Sequence, residues 1–411
     1  MNRPELLAPA GDRERLDAAL QYGADAIYLA GPAFGMRSAP ANFSQDELRR
    51  AVQDAHRQGV KVYVTCNILP RNEELRRLPA FLEEWQDMGV DALIVADLGV
   101  MSLAQQYAPH CALHVSTQFG VVNSATASRL FDLGASRAVL ARELSLDEIR
   151  AIRRDAPDGL ELEAFVHGAM CMSYSGRCML SAYLNGRDAN HGDCTQPCRW
   201  NYQIVEPHRP DRPFPVVEDE TGTYLFNAHD LCMIEHLPAL AQAGIASFKI
   251  EGRAKAAYYV AVTTNAYRMA IDGWEASGRD DSYRPADWMI RELDMVSHRP
   301  YGTGFYFGQP SQNTRSGGYI RDYEVVAVAK DWVDGLQRLE QRNRFFAGEE
   351  LSVLQPGKAP FTITASPLLD GDGRPIDAAP HPTMPLLIPL KEPLVPGSLL
   401  RHRCKTEPVH E

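Results

Sequence analysis

Short apolar runs alternate with amphipathic stretches through the first 275 residues, and this alternation restricts the fold more than any other feature. The runs at 6–11 (Leu-Leu-Ala-Pro-Ala-Gly), 26–31, 61–68, 92–97, 113–118, 137–142, 161–167 and 246–251 read as strands. Helices are expected at 13–22, 44–58, 73–88, 123–133, 145–154 and 254–273. Nearly continuous apolar strands separated by helices suit a parallel sheet covered on its outer face. A weak internal repeat agrees: Gly23, Gly89, Gly134 and Gly244 each stand between a helix and the next strand, where a helix C-cap asks for positive φ. Eight strand–helix units over about 250 residues predict an α/β fold with a closed (β/α) TIM-like barrel. An open doubly wound sheet would need a glycine-rich phosphate turn after the first strand, and Pro9-Ala10-Gly11-Asp12 is not one.

The pattern changes near residue 275. Gly, Asp, Ser, Arg and Pro accumulate at 277–286, and a short helix is expected at 287–296. From Gly317 the chain reads as short strands with Gly/Pro turns: 319–330, 336–340, 350–354, 360–366, 384–389 and 398–402. The expected organisation is a barrel over 1–275 with an insertion at 168–235, a linker with a short helix over 276–316, and a small C-terminal β-barrel domain over 317–411. Segment 205–222, rich in Pro, Asp and Glu, reads as a surface excursion.

Composition narrows the function. The formal net charge of −11 argues against broad non-specific nucleic-acid binding but leaves room for a local basic cleft. No run approaches the roughly 18 apolar residues of a membrane span, and Met1-Asn2-Arg3-Pro4-Glu5 opens no signal-peptide stretch, so a cytoplasmic protein is expected. Eight cysteines in a reducing compartment point to metal or catalysis rather than disulfides. Five of them, Cys171, Cys178, Cys194, Cys198 and Cys232, fall within 62 residues.

Barrels of this kind carry their active sites at the C-terminal ends of the strands. The polar residues there are Asn67, Asp97, Gln118, Arg142 with Glu143, His167, and Glu251 with Arg253. Each also has a plain structural reading: Asp97 as a helix cap, Arg142 with Glu143 as a surface pair, His167 as a satisfied strand-end histidine. The cysteine segment is more specific. Thiols gathered just beyond the seventh strand make a soft site suited to an iron–sulfur cluster or zinc. The tight C-x₂-C knuckles of structural zinc are missing, and so is C-x₃-C-x₂-C, since Arg199, Trp200 and Asn201 follow Cys198. No H-E-x-x-H or G-x-S-x-G is present.

These residues carry a resemblance. The run Glu163-x-Phe165-x-x-Gly168-Ala169-Met170-Cys171-x₄-Gly176-x-Cys178-x-Leu180-Ser181 resembles the signature of the collagenase-like peptidase family of unknown catalytic type ("U-thirty-two"). Glu5 to Gly11, Cys198-Arg199-Trp200, Asn227…Asp230-Leu231 and Lys249-Ile250-Glu251-Gly252-Arg253 are similar to further family features, so the resemblance spans nearly the whole chain. The family name implies proteolysis, with Cys171 or Cys178 beside His167 as the residues able to serve. Several branches are instead oxygen-independent hydroxylation proteins carrying a [4Fe–4S] cluster. One makes 5-hydroxyuridine at the tRNA wobble position with prephenate as hydroxyl donor. Others act on ribosomal RNA cytidine or on ubiquinone precursors. The single barrel, the cysteine segment and one C-terminal β domain look most like the tRNA branch. The resemblance implies Cys171, Cys178 and Cys194 as cluster ligands, with the fourth place open between Cys198 and Cys232. Prephenate has two carboxylates, so Arg142, Arg177, Arg187 and Arg253 are candidate clamps and Lys249 a further cation. Glu251 or His167 is the candidate proton carrier. A non-enzymatic, cluster-bearing scaffold is the remaining alternative. The sequence does not fix an oligomeric state.

Overall fold

The computed structural model describes residues 3–35, 42–171, 173–174, 177–200, 203–204, 214–215, 229–310 and 319–404. The excursion expected at 205–222 lies outside these residues except for 214–215, as does Asn227.

The chain begins β1 (Glu5–Pro9), α1 (Arg13–Gln21), β2 (Ala26–Leu29), α2 (Gln45–Arg57) and β3 (Lys61–Cys66). It continues α3 (Asn72–Leu75), α4 (Leu78–Met88), β4 (Ala92–Val95), α5 (Leu98–Tyr107) and β5 (Ala112–Val115). Next come α6 (Ser124–Asp132), β6 (Arg137–Val139), α7 (Leu146–Asp155) and β7 (Glu161–Gly168). Within the insertion lie α8 (Leu180–Asn185), a two-residue ladder of β8 (Gln203–Ile204) with β9 (Phe214–Pro215), and β10 (Asp230–Cys232). After it come α9 (Leu237–Gln242), β11 (Ile245–Ile250) and the long α10 (Ala257–Ala276).

The strands pair in the order β11-β1-β2-β3-β4-β5-β6-β7, and β11 pairs again with β7. Every one of these pairs is parallel, so eight strands close a barrel as the alternation predicts. Local signals set the boundaries. Ser44 with Glu47 and Ser145 with Glu148 form capping boxes at the starts of α2 and α7. Gly23, Gly89, Gly134 and Gly244 all have φ between 86 and 94°, the left-handed conformation in which a Cβ is strained.

Two details differ from the sequence reading. The helix expected over 73–88 is two helices, because Pro79 sits in the first turn of α4, where its ring suits a helix start and interrupts a helix interior. Helix α5 gives no sequence signal, since Leu98–Tyr107 carries no charged residue to mark a solvent face.

The stretch expected as a linker packs onto the barrel. It holds α11 (Asp287–Asp294) and β12 (Tyr301–Gly302), and Met289, Leu293 and Val296 join the barrel's apolar core. The C-terminal part contains β13 (Tyr323–Val333), β14 (Leu336–Gln341), β15 (Phe345–Phe346), β16 (Glu350–Leu354) and β17 (Phe361–Thr364). Then follow β18 (Leu369–Asp370), β19 (Ala378–Ala379), β20 (Pro385–Pro389) and β21 (Leu399–Arg403). Seven of these strands form one antiparallel sheet, β17-β16-β21-β13-β14-β20-β18, over a separate core that includes Val326, Leu339, Phe345 and Leu400. Among the described residues its ends do not pair, so the expected small β-barrel is a half-barrel. The half-barrel is fastened to the barrel. Arg401 pairs with Glu292 at 2.5 Å, both fully buried, and Gly357 donates its N–H to Asn265 Oδ1 at 2.8 Å. Among the described residues no helix is long and apolar enough to cross a membrane.

Candidate functional site

A cavity of about 330 Å³ opens at the C-terminal end of the barrel strands. That size falls in the range of small-molecule sites. Strand β11 supplies its floor. Along a strand alternate residues face the same way, so Lys249 and Glu251 point into the barrel and Ile250 into the surrounding core. The Lys249 ammonium bonds the Glu163 carboxylate at 2.8 Å and lies 4.6 Å from the centre of the Tyr28 ring. Glu163 is fully buried and also accepts from Arg137 Nη1 and Ser247 Oγ, each at 3.1 Å. Burial alone would raise its pKa, but the charges of Lys249 and Arg137 outweigh it and hold the carboxyl below its ordinary value.

Arg142 lies over the face of Phe165, 3.8 Å from the ring centre, and donates to the Ala169 carbonyl at 2.9 Å. Its other nitrogen stands 3.8 Å from Glu251, whose carboxylate accepts from the Tyr28 hydroxyl at 3.4 Å. Arg253 donates to Thr65 Oγ1 at 3.1 Å. Two close approaches fix these loops. A Cβ on Gly11 would collide with the Arg253 carbonyl oxygen, and one on Gly168, where φ is +107°, with that of Glu251. Among the described residues the lining therefore carries Arg142, Lys249 and Arg253 around Glu251, with Glu163 beneath balancing Lys249 and an Arg187–Asp193 pair on the outer wall.

The cysteine segment forms the outer wall. Cys171, Cys178, Cys194 and Cys198 all line the cavity. Asn190 brackets Cys178 by accepting its N–H at 3.2 Å and donating to its carbonyl at 3.0 Å. Thr195 donates its N–H to Ser181 Oγ at 3.1 Å, tying the Cys194 turn to α8. Two backbone donors aim at sulfur: Leu180 N–H at Cys178 Sγ, 3.3 Å, and Gln196 N–H at Cys194 Sγ, 3.4 Å. Hydrogen bonds of this kind are what iron–sulfur thiolates accept. Among the described residues no three His, Cys, Asp or Glu side chains converge as ligands of one metal ion, while the four thiols share the lining of one cavity. Four cysteine thiolates are the donor set that a four-iron cluster takes, and the cavity lining offers that number and type of donor.

Other sequence candidates fall elsewhere. The β7–β11 register shifts at its upper end: Lys249 pairs with Phe165, but Ile250 pairs with His167. This bulge turns His167 to the side of Ile250, away from the cavity. There the imidazole is buried among Tyr259, Tyr267 and Tyr301. Burial pushes its pKa down to about 3, assisted by Lys255 and His298. Cys232, on β10, also lies behind the cavity wall. Its thiol is 3.9 Å from the Tyr267 hydroxyl, and burial pushes its pKa up to about 11. Arg187 lines the cavity with its Nε on Asp193 at 2.8 Å, whereas Arg177 is exposed outside the lining. Asp97 caps α5 by accepting the Val100 N–H at 3.1 Å, which is its plain structural reading. Sequence reasoning passed over Tyr28, Thr65 and Phe165, because apolar and hydroxyl residues in a buried strand look like core. Glu163 gave a usable signal, since a carboxylate inside an apolar strand requires a buried partner.

The model of peptidase family U32 matches residues 11–316, and that of the family's C-terminal domain matches 321–401. The chain belongs to peptidase family U32. It is 35% identical over 404 residues to tRNA hydroxylation protein P1 of Bacillus subtilis (strain 168), covering 97% of this chain and 94% of that one. It is 36% identical over 427 residues to tRNA hydroxylation protein P of Escherichia coli (strain K12), covering 91% and 93%. A 23S rRNA 5-hydroxycytidine synthase of the latter organism is 38% identical over 347 residues, which are 81% of this chain and 50% of that one.

Proposed function

We propose that this U32 protein is a tRNA-modifying enzyme that hydroxylates the wobble uridine at C5, taking the hydroxyl group from prephenate. The observation that carries the reading is the cavity itself, which combines the cations Arg142, Lys249 and Arg253 with Glu251, an Arg187–Asp193 pair and four thiols at the mouth of a closed barrel. Relatives named as tRNA hydroxylation proteins over almost their whole length support the choice of tRNA. A [4Fe–4S] cluster held there would supply Lewis-acid or electron-transfer chemistry. Cys171, Cys178 and Cys194 would hold it. The fourth place belongs to either Cys198, which shares the cavity, or Cys232, which lies behind it.

The chain's own residues account for binding and orientation. Arg142 and Arg253 present guanidinium groups, which take carboxylates bidentately, and Lys249 adds a fixed positive charge below them. Phe165 and Tyr28 cover the apolar sides of Arg142 and Lys249, so the cations are held in place before a dianion arrives. Glu251, 3.8 Å from Arg142 and 3.4 Å from the Tyr28 hydroxyl, is the group placed to accept or return a proton at the bound donor's hydroxyl. The target base must leave its stack to reach this depth, which a single-stranded anticodon loop allows at small cost. The peptidase reading pairs His167 with Cys171 or Cys178, and the β7 bulge turns that imidazole away from the cavity those two thiols line.

The test is nucleoside mass spectrometry of tRNA and ribosomal RNA from cells with and without the gene. Loss of 5-hydroxyuridine from tRNA, restored by the wild-type gene but not by Cys171→Ala, is expected. Loss of a hydroxylated ribosomal cytidine with tRNA intact would move the substrate to ribosomal RNA. No change in either RNA would overturn the reading. Anaerobic iron and sulfide analysis of Cys198→Ala and Cys232→Ala identifies the fourth ligand as the one whose loss empties the site.

A further inference from the structure

A second cavity, about 510 Å³, lies beside the first and is bounded partly by the junction to the C-terminal half-barrel. Ala169, Gln196, Glu251 and Ala254 line both, so the two share a wall. The far side carries two cations from different parts of the chain. Lys255 follows β11 and is placed by a hydrogen bond from its ammonium to the Ser297 carbonyl at 3.0 Å. Arg321 comes from the start of the half-barrel segment and donates to Ser297 Oγ at 3.3 Å. The neighbouring Ile320 bridges to His298, which pins the Arg321 backbone against the barrel. Tyr319, which also lines the cavity, has its ring 4.1 Å from the Lys255 ammonium and 5.0 Å from a third cation, the Arg299 guanidinium. The cavity also reaches Ala256, the N-cap of the 20-residue helix α10, which no side chain caps. A helix start adds partial positive charge to that of the two side chains. The one carboxylate in the lining, Glu251, has Arg142 and the Tyr28 hydroxyl beside it on the first cavity's side.

In a chain of net charge −11, two cations converging on one cavity with an uncapped helix start are a local reversal of sign. We propose that this second cavity is a phosphate subsite for the RNA strand, holding a backbone phosphate adjacent to the target nucleotide between Lys255 and Arg321. The proposal rests on the RNA reading above. A nucleotide carries its phosphate one sugar away from its base, which suits two cavities with a common wall. It also gives the half-barrel junction a role, since Arg321 completes the site from outside the barrel.

The experiment measures binding of a synthetic anticodon stem-loop, with uridine at the wobble position, to the full chain by fluorescence anisotropy over a series of salt concentrations. Companion RNAs carry one uncharged methylphosphonate linkage on either side of that uridine. Arg321→Gln and Lys255→Gln are each expected to weaken binding about tenfold, as loss of a charged hydrogen bond does. The slope of log affinity against log salt should flatten by about 0.7 for one single-strand phosphate contact. The neutral linkage should cost the wild type a similar factor on one side only, and cost the double variant nothing further. A merely structural role for Arg321 would leave the salt slope unchanged, and Arg321→Lys should restore part of it. If the wild type binds and the variants match it in affinity and slope, the subsite is overturned while the RNA reading stands. If the wild type does not bind the stem-loop, both fall.

Discussion

Replacing Lys249 by methionine tests how the cavity floor is held. The ammonium lies 2.8 Å from the Glu163 carboxylate, and both side chains are buried. At an effective dielectric near 20 the direct attraction is about 6 kcal/mol, and returning lysine to water in the unfolded state offsets part of it. Glu163 keeps Arg137 and Ser247 as donors, each at 3.1 Å, so its charge is not stranded. The expected cost is therefore about 3 kcal/mol, at the lower end for breaking a buried pair. In urea unfolding at pH 7 that lowers the midpoint by about 1 M for a slope near 3 kcal/mol per molar. Adding Glu163→Gln should recover at least half of the loss, because Arg137 retains Glu5 at 2.6 Å and Glu161 at 2.7 Å. The sign with pH follows. Lys249 helps to depress the Glu163 pKa, so the stability it confers is present above the ordinary carboxyl range and disappears as pH falls through the folded value. Lys249→Met should thus differ least from wild type in acid. A cost below about 1 kcal/mol at pH 7, or a double variant no more stable than the single, would refute the argument that Glu163 needs this lysine.

Three further outcomes are expected. His167 ordinarily titrates near 6.5 and is held to about 3, so between those values the unfolded chain binds a proton that the folded chain excludes. Stability falls as pH drops across that window, by at most about 1.4 kcal/mol per pH unit. His167→Phe should narrow the gap in melting temperature between pH 7 and pH 5, and an unchanged gap would show that the imidazole is not shielded. Gly168→Ala, at φ +107° against the Glu251 carbonyl, should cost about 3 kcal/mol in strain and displacement and lower RNA hydroxylation with it. A variant with wild-type melting and activity contradicts the close approach. Glu292→Ala leaves the Arg401 guanidinium buried without its carboxylate, and a loss of about 3–5 kcal/mol is expected. Limited proteolysis near 303–322 should accelerate. An unchanged cleavage rate would mean that other contacts fasten the half-barrel.

The barrel was legible because its signals are local. The strands are apolar runs, α2 and α7 open on a Ser-x-x-Glu box, and Gly23, Gly89, Gly134 and Gly244 mark the ends of α1, α4, α6 and α9. The C-terminal strands were equally plain, with β16 found at 350–354 as read. Lys249 came in through the resemblance, while strand-end logic picked out Asn67, Gln118, Arg142, Glu251 and Arg253, which the fold brings to one cavity. It misplaced His167, since a one-residue bulge reverses which way a side chain faces and leaves no mark in the composition. The second cavity was invisible for a different reason. Lys255 and Arg321 are 66 positions apart and meet at Ser297.

The closure of the barrel also has a consequence for the order of assembly. Strand β1 must wait for β11, its partner on one side, until residue 250 has been made. At ordinary translation speeds that is a delay of roughly 10–50 s. During that time the seven earlier strands can form an arc, but Arg137, Glu163 and Glu5 face its concave side without Lys249 and Ser247 to complete their network. In an open arc water hydrates these ionic groups, and their desolvation waits for the strand that supplies their remaining partners. The last strand therefore brings charge balance along with its hydrogen bonds. It reaches its place only after the cysteine segment has been synthesised, so the nascent thiols precede the cavity they line.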